Sequence, residues 1–475
     1  MLRRSAASRL VQGDRGGGSV VWDGDATPGK GAFAERQAAY RLAWVEALER
    51  FSVSGVKSLI ALFLVDHVLA TGDRGVIALE GLKRALEHLY GPLSSVALAS
   101  QIYGFQNALL YLSVPLGGVF GDWLVGRRRA VRIGAILMMA GPLLLMTRAF
   151  LLPGLMLFAM GAGCVKGNLA AQVGEIFRDE RERRRGFALY LAFLNAGVFL
   201  GPLACGAVAN WLGWNLGFGV AAAGIGFGLL LYGGNPTPAS AMPSAREDSA
   251  EREEDARAHT DWFRLIAAIG AVYLAFAAYE QSFNLVLIWA ERHVALQLGG
   301  LTMPASWIVS ADGLMSILLI WVAEAAFRWW EERGTVIGPA MRIQIGCAAC
   351  MLGFLLLAAG AMLGHGERLP LIWLLGFLLL VDLAIVLVWP AGLALITSEA
   401  RRRQVGLLVG IFYLHGFFAG LWVAAAGTLY ERLGPARFFL LHAAIAAAGV
   451  VVMRAGVSLS SLFRRTAALP PAFSS

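Results

Sequence analysis

Long apolar runs, each wide enough to cross a bilayer, recur from one end of this chain to the other. About 20 helical residues span roughly 30 Å of hydrocarbon. Runs of that kind fall near 42–70, 95–121, 130–150, 153–176, 186–209 and 213–233, and again near 262–289, 303–327, 341–363, 370–397, 404–428 and 437–457. Inside lipid every backbone N–H and C=O must be paired within the structure, so only helices or closed barrels cross it, and runs this long lack the alternation of barrel strands. The expected fold class is an all-α polytopic membrane protein with about 12 transmembrane helices. Composition agrees: 475 residues with 15% charged cannot cover a soluble surface of that size.

The basic residues are distributed unevenly. With the N-terminus inside, the inner segments hold residues 1–41, Arg127–Arg129 with Arg132, and Arg178 to Arg185. They also hold the segment 234–261, Arg328 with Arg333, Arg401–Arg403 and Arg464 with Arg465. This bias predicts both termini cytoplasmic, in a multi-pass protein of the cell's inner (plasma) membrane. It also accounts for the net charge of +8, so no nucleic-acid partner is expected. Residues 1–41 are basic, Gly-rich and expected to be disordered; 234–261 reads as a polar cytoplasmic linker, and 458–475 as a cytoplasmic tail. Two six-helix bundles remain, 42–233 and 262–457. Residues 73–93 read as an amphipathic surface helix on the outer side. Cys347 and Cys350 lie inside an apolar run with no second ligand pair, so they read as small core residues and no metal is expected. The chain has no Ser/His/Asp set or phosphate loop, and an enzyme is not expected.

Charges interrupt the first run where lipid tolerates them least. Glu46, Glu49, Arg50, Val53 and Lys57 recur at helical spacing and share one face. Buried ionisable groups are costly unless paired or wetted, so this stripe suggests a polar pathway through the membrane.

Between the second and third runs stands Gly117-Gly118-Val-Phe-Gly121-Asp122-Trp-Leu-Val-Gly126-Arg127-Arg128. It matches the pattern G-x-x-x-D-x-x-x-G-R-R and resembles the major facilitator superfamily, whose members build two six-helix bundles around a midplane site. In that resemblance Gly118, Asp122, Gly126, Arg127 and Arg128 form a conformational motif, silent on substrate. A Gly/Arg turn near 328–334 echoes it in the second half.

A narrower likeness runs through the membrane region in order. Glu46-x-x-Glu49-Arg50-Phe51 with Gly55 is similar to the E-x-x-E-R-F-x-Y-Y-G signature of the proton-dependent oligopeptide transporter (POT/PTR) family. Gly161-Ala-Gly163-Cys-Val-Lys166-Gly167-Asn168 resembles its fourth-helix pattern, and Tyr190 to Phe199 its fifth. Tyr279-Glu280-Gln281 and Trp389-Pro390-Ala-Gly392 resemble its seventh and tenth. The resemblance implies a proton-coupled symporter that imports di- or tripeptides, or related small zwitterions, by alternating access. It needs no cofactor beyond the proton as coupling ion, and its partners are substrate, protons and the lipid bilayer around a monomer. Carried over, it assigns proton coupling to Glu46, Glu49, Arg50 and Lys166. Substrate binding falls to Arg50, Lys57, Tyr111, Lys166, Asn195, Glu280 and Asp312. Gating salt bridges would join Lys57 to Glu280 and Lys166 to Asp382.

Departures from that pattern fall in the pocket. Val53 and Ser54 replace the two tyrosines, and Ile385 stands where the tenth helix carries glutamate, with Asp382 the nearest acid. Two alternatives stay open. One is a superfamily transporter for another small solute, such as an amino acid, nitrate or an organic anion. The other is a non-transporting membrane receptor with a remnant pocket.

Overall fold

The computed structural model describes residues 30–467, with 71, 73, 74, 178, 179, 234–259, 299, 365 and 366 outside that description. Helix α1 (Lys30–Leu62) ends in a π-helical turn, Phe63–Val68. The amphipathic helix α2 (Leu79–Tyr90) buries Leu79 and Leu86 and leaves Glu80 and Arg84 in solvent. Next come α3 (Ser95–Val119), α4 (Arg127–Leu145), α5 (Leu151–Ile176), α6 (Glu180–Leu212) and α7 (Trp214–Gly233). The second half holds α8 (Trp262–Tyr279), a 3-10 turn (Glu280–Phe283), α9 (Leu285–His293), α10 (Trp307–Glu331) and α11 (Pro339–Leu363). It closes with α12 (Leu371–Glu399), α13 (Arg402–Tyr413) and α14 (His415–Ala467). A small antiparallel hairpin, β1 (Gln297–Leu298) and β2 (Leu301–Thr302), links α9 to α10.

Local chemistry sets several of these ends. Ser94 caps α3 by accepting the N–H of Ala97 at 3.1 Å, and Asp261 caps α8 by accepting that of Arg264 at 3.3 Å. Pro339 opens α11, where its missing N–H costs nothing.

Ten stretches among the described residues are long and apolar enough to cross a membrane. Helix α4 adds an eleventh: its 19 residues begin with three arginines, and it packs between α5 and α7. The last stretch, Gln404–Arg464, counts twice. Its 61 residues would reach about 90 Å as one helix, three bilayer cores deep. Gly434, at φ 72 and ψ 162, breaks it ahead of Pro435; only glycine adopts such a backbone without strain. Twelve crossings result, and the beginning of α1 and the end of α14 share one face, called inner below.

In the first half α1 packs on α6 and α7, α3 on α5, and α4 on α5 and α7. In the second, α14 packs on α8 and α11, and α12 on α11. The halves meet along α3 with α14 and along α6 with α10. That seam is tight toward the outer face. A Cβ on Gly104 would strike the backbone of Gly420 and Ala424, so α3 and α14 cross at backbone contact. Ser100 donates to Val423 O at 3.2 Å, Ser310 to Phe199 O at 2.8 Å, and the Trp307 indole to Leu203 O at 3.1 Å.

Two expected boundaries move. Residues 30–41, placed in the disordered N-terminus, are helical: Ala38, Ala39 and Leu42 are buried, and Arg36 reaches Glu182 of α6 at 3.6 Å. The last helix passes residue 457 and continues to Ala467, anchored by Arg464 to Asp261 at 2.9 Å. Residues 1–29, most of the 234–261 linker and residues 468–475 lie outside the described residues.

Candidate functional site

The polar stripe of α1 faces inward, as its spacing requires. Glu46 and Glu49 are fully buried. Arg50 lies between them: its Nε is 3.2 Å from Glu46 Oε1 and also pairs with Glu49 Oε2, while one terminal nitrogen donates to Glu49 Oε1 at 2.7 Å. From α6 the Tyr190 hydroxyl donates to Glu46 Oε2 at 2.5 Å. Two carboxylates share one guanidinium here, and Lys166 of α5 is the second cation that acts on them.

The approach of α6 makes this arrangement possible. A Cβ on Gly197 would strike Ala47 O, so α1 and α6 cross in backbone contact. Ser54 seals the crossing by donating to Arg50 O at 2.8 Å and to Gly197 O at 3.3 Å. Its O–H is therefore taken up by backbone.

Two turns outward from Arg50, Lys57 bridges the halves. Its Nζ is 2.8 Å from Glu280 Oε2 and 4.0 Å from the centre of the Phe283 ring. Glu280 opens the 3-10 turn that interrupts the seventh crossing, and Asn284, at φ −125 and ψ −99, breaks the helix outright. Backbone freed at this depth is tolerated only where protein covers it, and Glu280, Gln281, Ser282 and Phe283 are all buried.

Lys166 projects from α5 toward Tyr111, 5.9 Å from its ring centre, and feels the charges of Arg50, Glu49 and Glu46. Tyr111 lies edge-on to His415 of α14, so it touches the facing half. His415 itself is satisfied by Phe412 O at 2.7 Å.

One expected pairing is not made, and two expected site residues bond within their own half. Asp382 is not opposite Lys166: it is buried beside Asp312, accepting from Ser316 at 3.3 Å. The physical reason is helical phase, since Asp382 precedes Ile385 by three residues, which turns it about 60° and raises it by ~4.5 Å. Asp312 is held within the second half, where the Tyr279 hydroxyl reaches its two oxygens at 3.1 and 3.2 Å. Asn195 donates to Leu191 O of its own helix at 2.9 Å.

Tyr190 and Tyr279 stand inside the sequence motifs with no task that spacing assigns. Each supplies the hydroxyl donor to a buried carboxyl. The signal available was their helical register against Glu46 and Asp312, which only the packing of α6 and α8 reveals.

At the inner face the Gly/Asp/Arg motif is assembled. Gly126, at φ 82, turns the chain into α4, so that Arg127 returns to Asp122 at 2.6 Å and also pairs with Glu175 at the end of α5. Gly117 and Gly118 sit where α3 crosses the backbone of α5 near Gly163 and Gly167. Arg127 thereby ties three helix ends together. Gly118 and Gly126 have structural tasks, and Arg128 lies exposed beside them.

Compared with known families, residues 75–424 match the model of the Major Facilitator Superfamily. The chain belongs to the major facilitator superfamily. Its superfamily relatives include the uncharacterized transporter YclF of Bacillus subtilis, 24% identical over 87% of this chain and 92% of that protein. The peptide transporter YePEPT of Yersinia enterocolitica is 26% identical over 78% of this chain and 83% of its own length. Among solved superfamily structures, a mutant of the peptide transporter POT in complex with alafosfalin superposes with a TM-score of 0.73. It is 22% identical and covers 90% of this chain and 94% of that one. The expected major facilitator fold is thus the observed one, and the protein is a multi-pass membrane protein whose relatives are transporters.

Proposed function

We propose that this protein is a proton-coupled symporter of the POT/PTR branch that imports short peptides or related small zwitterions by alternating access. The observation that carries the reading is the pairing of two ionic centres. Glu46, Glu49 and Arg50 form one within the first half. Lys57 and Glu280 form the other, across the halves at 2.8 Å. The names of the relatives and the shared fold support the same branch.

The chemistry follows from exchange of partners. A substrate carboxylate drawn to Arg50 and Lys166 competes with Glu49 for the guanidinium. A buried carboxylate that loses its cation becomes a better base, so Glu49 or Glu46 takes up a proton as substrate binds. The substrate's amino group competes with Lys57 for Glu280, which loosens the contact between the halves. Cross-half contacts run from the outer face down to Tyr111 with His415 and Val198 with Gly313. Arg50, level with the last of these contacts, and Lys166 remain partly accessible. This arrangement fits a site opening toward the inner face, with both termini cytoplasmic in the plasma membrane, the chain acting as a monomer. Protons moving inward supply about 2.3 kcal/mol per charge for each 100 mV.

One observation favours a substrate other than a plain dipeptide. Val53 offers no hydroxyl and Ser54 bonds only backbone, so this wall cannot grip a peptide through aromatic hydroxyls. Labelled dipeptide uptake into proteoliposomes under an imposed pH gradient tests the reading, with competition by amino acids, nitrate and organic acids. Accumulation of dipeptide that ignores the gradient would count against proton coupling. Competition by another class and not by dipeptides would move the substrate assignment.

A further inference from the structure

Among the described residues, the second half contains a pair of acids with no cation of its own. Asp312 of α10 and Asp382 of α12 are both buried, 5% and 0% exposed, and their carboxyls are within hydrogen-bonding reach of each other. The groups around them can be named element by element. The end of α8 and the 3-10 turn supply Tyr279 and Glu280, α3 supplies Tyr103, α10 supplies Ser316, and α1 supplies Lys57. Lys57 is already neutralised by Glu280. Helix α11, packed along α12, carries one charged side chain, Arg342, near its inner end, bonded to Ile337 O.

A separate observation points to an occupant. Asp382 Oδ2 is buried and has no hydrogen-bond donor among the described residues. The group within its reach is the Asp312 carboxyl, which donates only when protonated. Two carboxylates held this close without a counter-ion cannot both ionise, and they share one proton. Tyr279 O–H and Ser316 O–H then satisfy the remaining oxygens.

We propose that Asp312 and Asp382 form a second proton-binding site, in the C-terminal half and separate from the glutamates on α1. Its proton is tied to the outer contact between the halves. Tyr279, which donates to Asp312, immediately precedes Glu280, which holds Lys57. Parting of Glu280 from Lys57 turns the 3-10 segment and carries the Tyr279 hydroxyl away from Asp312. The pair then exchanges its proton, –COOH giving –COO⁻ and H⁺. That a transported proton passes here rests on the symport reading; that a proton is bound here does not.

Infrared spectroscopy of the purified protein in lipid nanodiscs reads the site without any substrate. The wild type should show a carboxylic-acid carbonyl band at pH 8, shifted in heavy water. Asp312→Asn and Asp382→Asn together should abolish it and each alone should shift it, whereas Glu49→Gln should retain it unshifted. Thermal melting of each variant confirms folding, since Asn keeps the shape of Asp. A wild type without the band, single variants that leave it unshifted, or a double variant that keeps it, would overturn the site. In proteoliposomes the proton-to-substrate ratio, taken from the reversal potential, should fall by one in Asp382→Asn. An unchanged ratio would overturn the transported-proton part. Absence of dipeptide uptake by the wild type would refute the symport reading and leave the infrared result to decide the site.

Discussion

Lys57 and Glu280 meet at 2.8 Å across the two halves, one on the continuous helix α1 and the other at the break of the seventh crossing. Lys57 is 22% exposed and Glu280 1%, so neither charge is well hydrated when its partner is lost. Removing one member of a pair this buried costs on the order of 3 kcal/mol, because the other stays behind uncompensated. Glu280→Gln and Lys57→Met should each cut uptake by tenfold or more. The exchanged pair, Lys57→Glu with Glu280→Lys, should recover part of it. If the exchange is no better than the singles, the contact is not a gate between the halves. Uptake rates together with cysteine labelling at the outer face provide the measurement.

The triad on α1 separates coupling from binding. Glu49→Gln keeps the hydrogen-bonding shape and deletes the titrating group. Gradient-driven accumulation should collapse while substrate counterflow between equal pH compartments persists. Arg50→Lys keeps the charge and loses the planar fork that contacts both glutamates, so it should lose both activities. Parallel loss of the two activities in Glu49→Gln would mean that Glu49 serves packing alone. Tyr190→Phe deletes the donor to Glu46 and should lower stability by about 1–3 kcal/mol in thermal melts.

Much of this was legible in the residues, for definable reasons. Apolar run length fixes the crossings because a bilayer has one thickness, and even α4, weakened by its arginines, kept the right period. The stripe from Glu46 to Lys57 was legible because a single helix sets its phase, and the structure does pair Lys57 with Glu280. Sites assembled from several helices were harder. Asp382 read as a partner for Lys166 by proximity to the tenth-helix position, but a 60° difference in phase sends it to Asp312. Asn195 reads as a substrate ligand, and the bond its amide makes within α6, to Leu191 O, does not test that role. Sequence spacing gives the phase within a helix; it does not give the rotation of one helix against another.

The crossing of α3 and α14 should be intolerant of bulk. A Cβ at Gly104 meets backbone atoms of Ala424 and Gly420, and backbone cannot rotate aside. Gly104→Leu should therefore pry the outer seam apart, at about 1–3 kcal/mol of overpacking. Cysteines placed at the outer ends of α3 and α14 should label faster in this variant. Uptake should fall severalfold because the outer side no longer closes. Unchanged labelling would mean that the seam yields by bending and does not control access.

At the outer mouth, Glu291 on the last turn of α9 faces Asp66 on α1, with Arg292 3.7 Å from Asp66. Burial, followed by the Asp66 carboxylate, pushes Glu291 up to about 7 from an ordinary value of 4.5, against the opposing pull of Arg292 and Arg368. The closed form therefore binds the Glu291 proton more tightly than an opened form in which the group is hydrated. The contribution of a raised acid is full below about 4.5 and is lost as pH climbs through about 7. Outer closure should accordingly be firmer at pH 5 than at pH 8. Labelling of a cysteine at the outer end of α1 should accelerate across that window. Glu291→Gln, which cannot ionise, should label slowly at both pH values and lose the pH dependence. A wild-type labelling rate that stays flat from pH 5 to 8 would remove Glu291 as the titrating group of this contact.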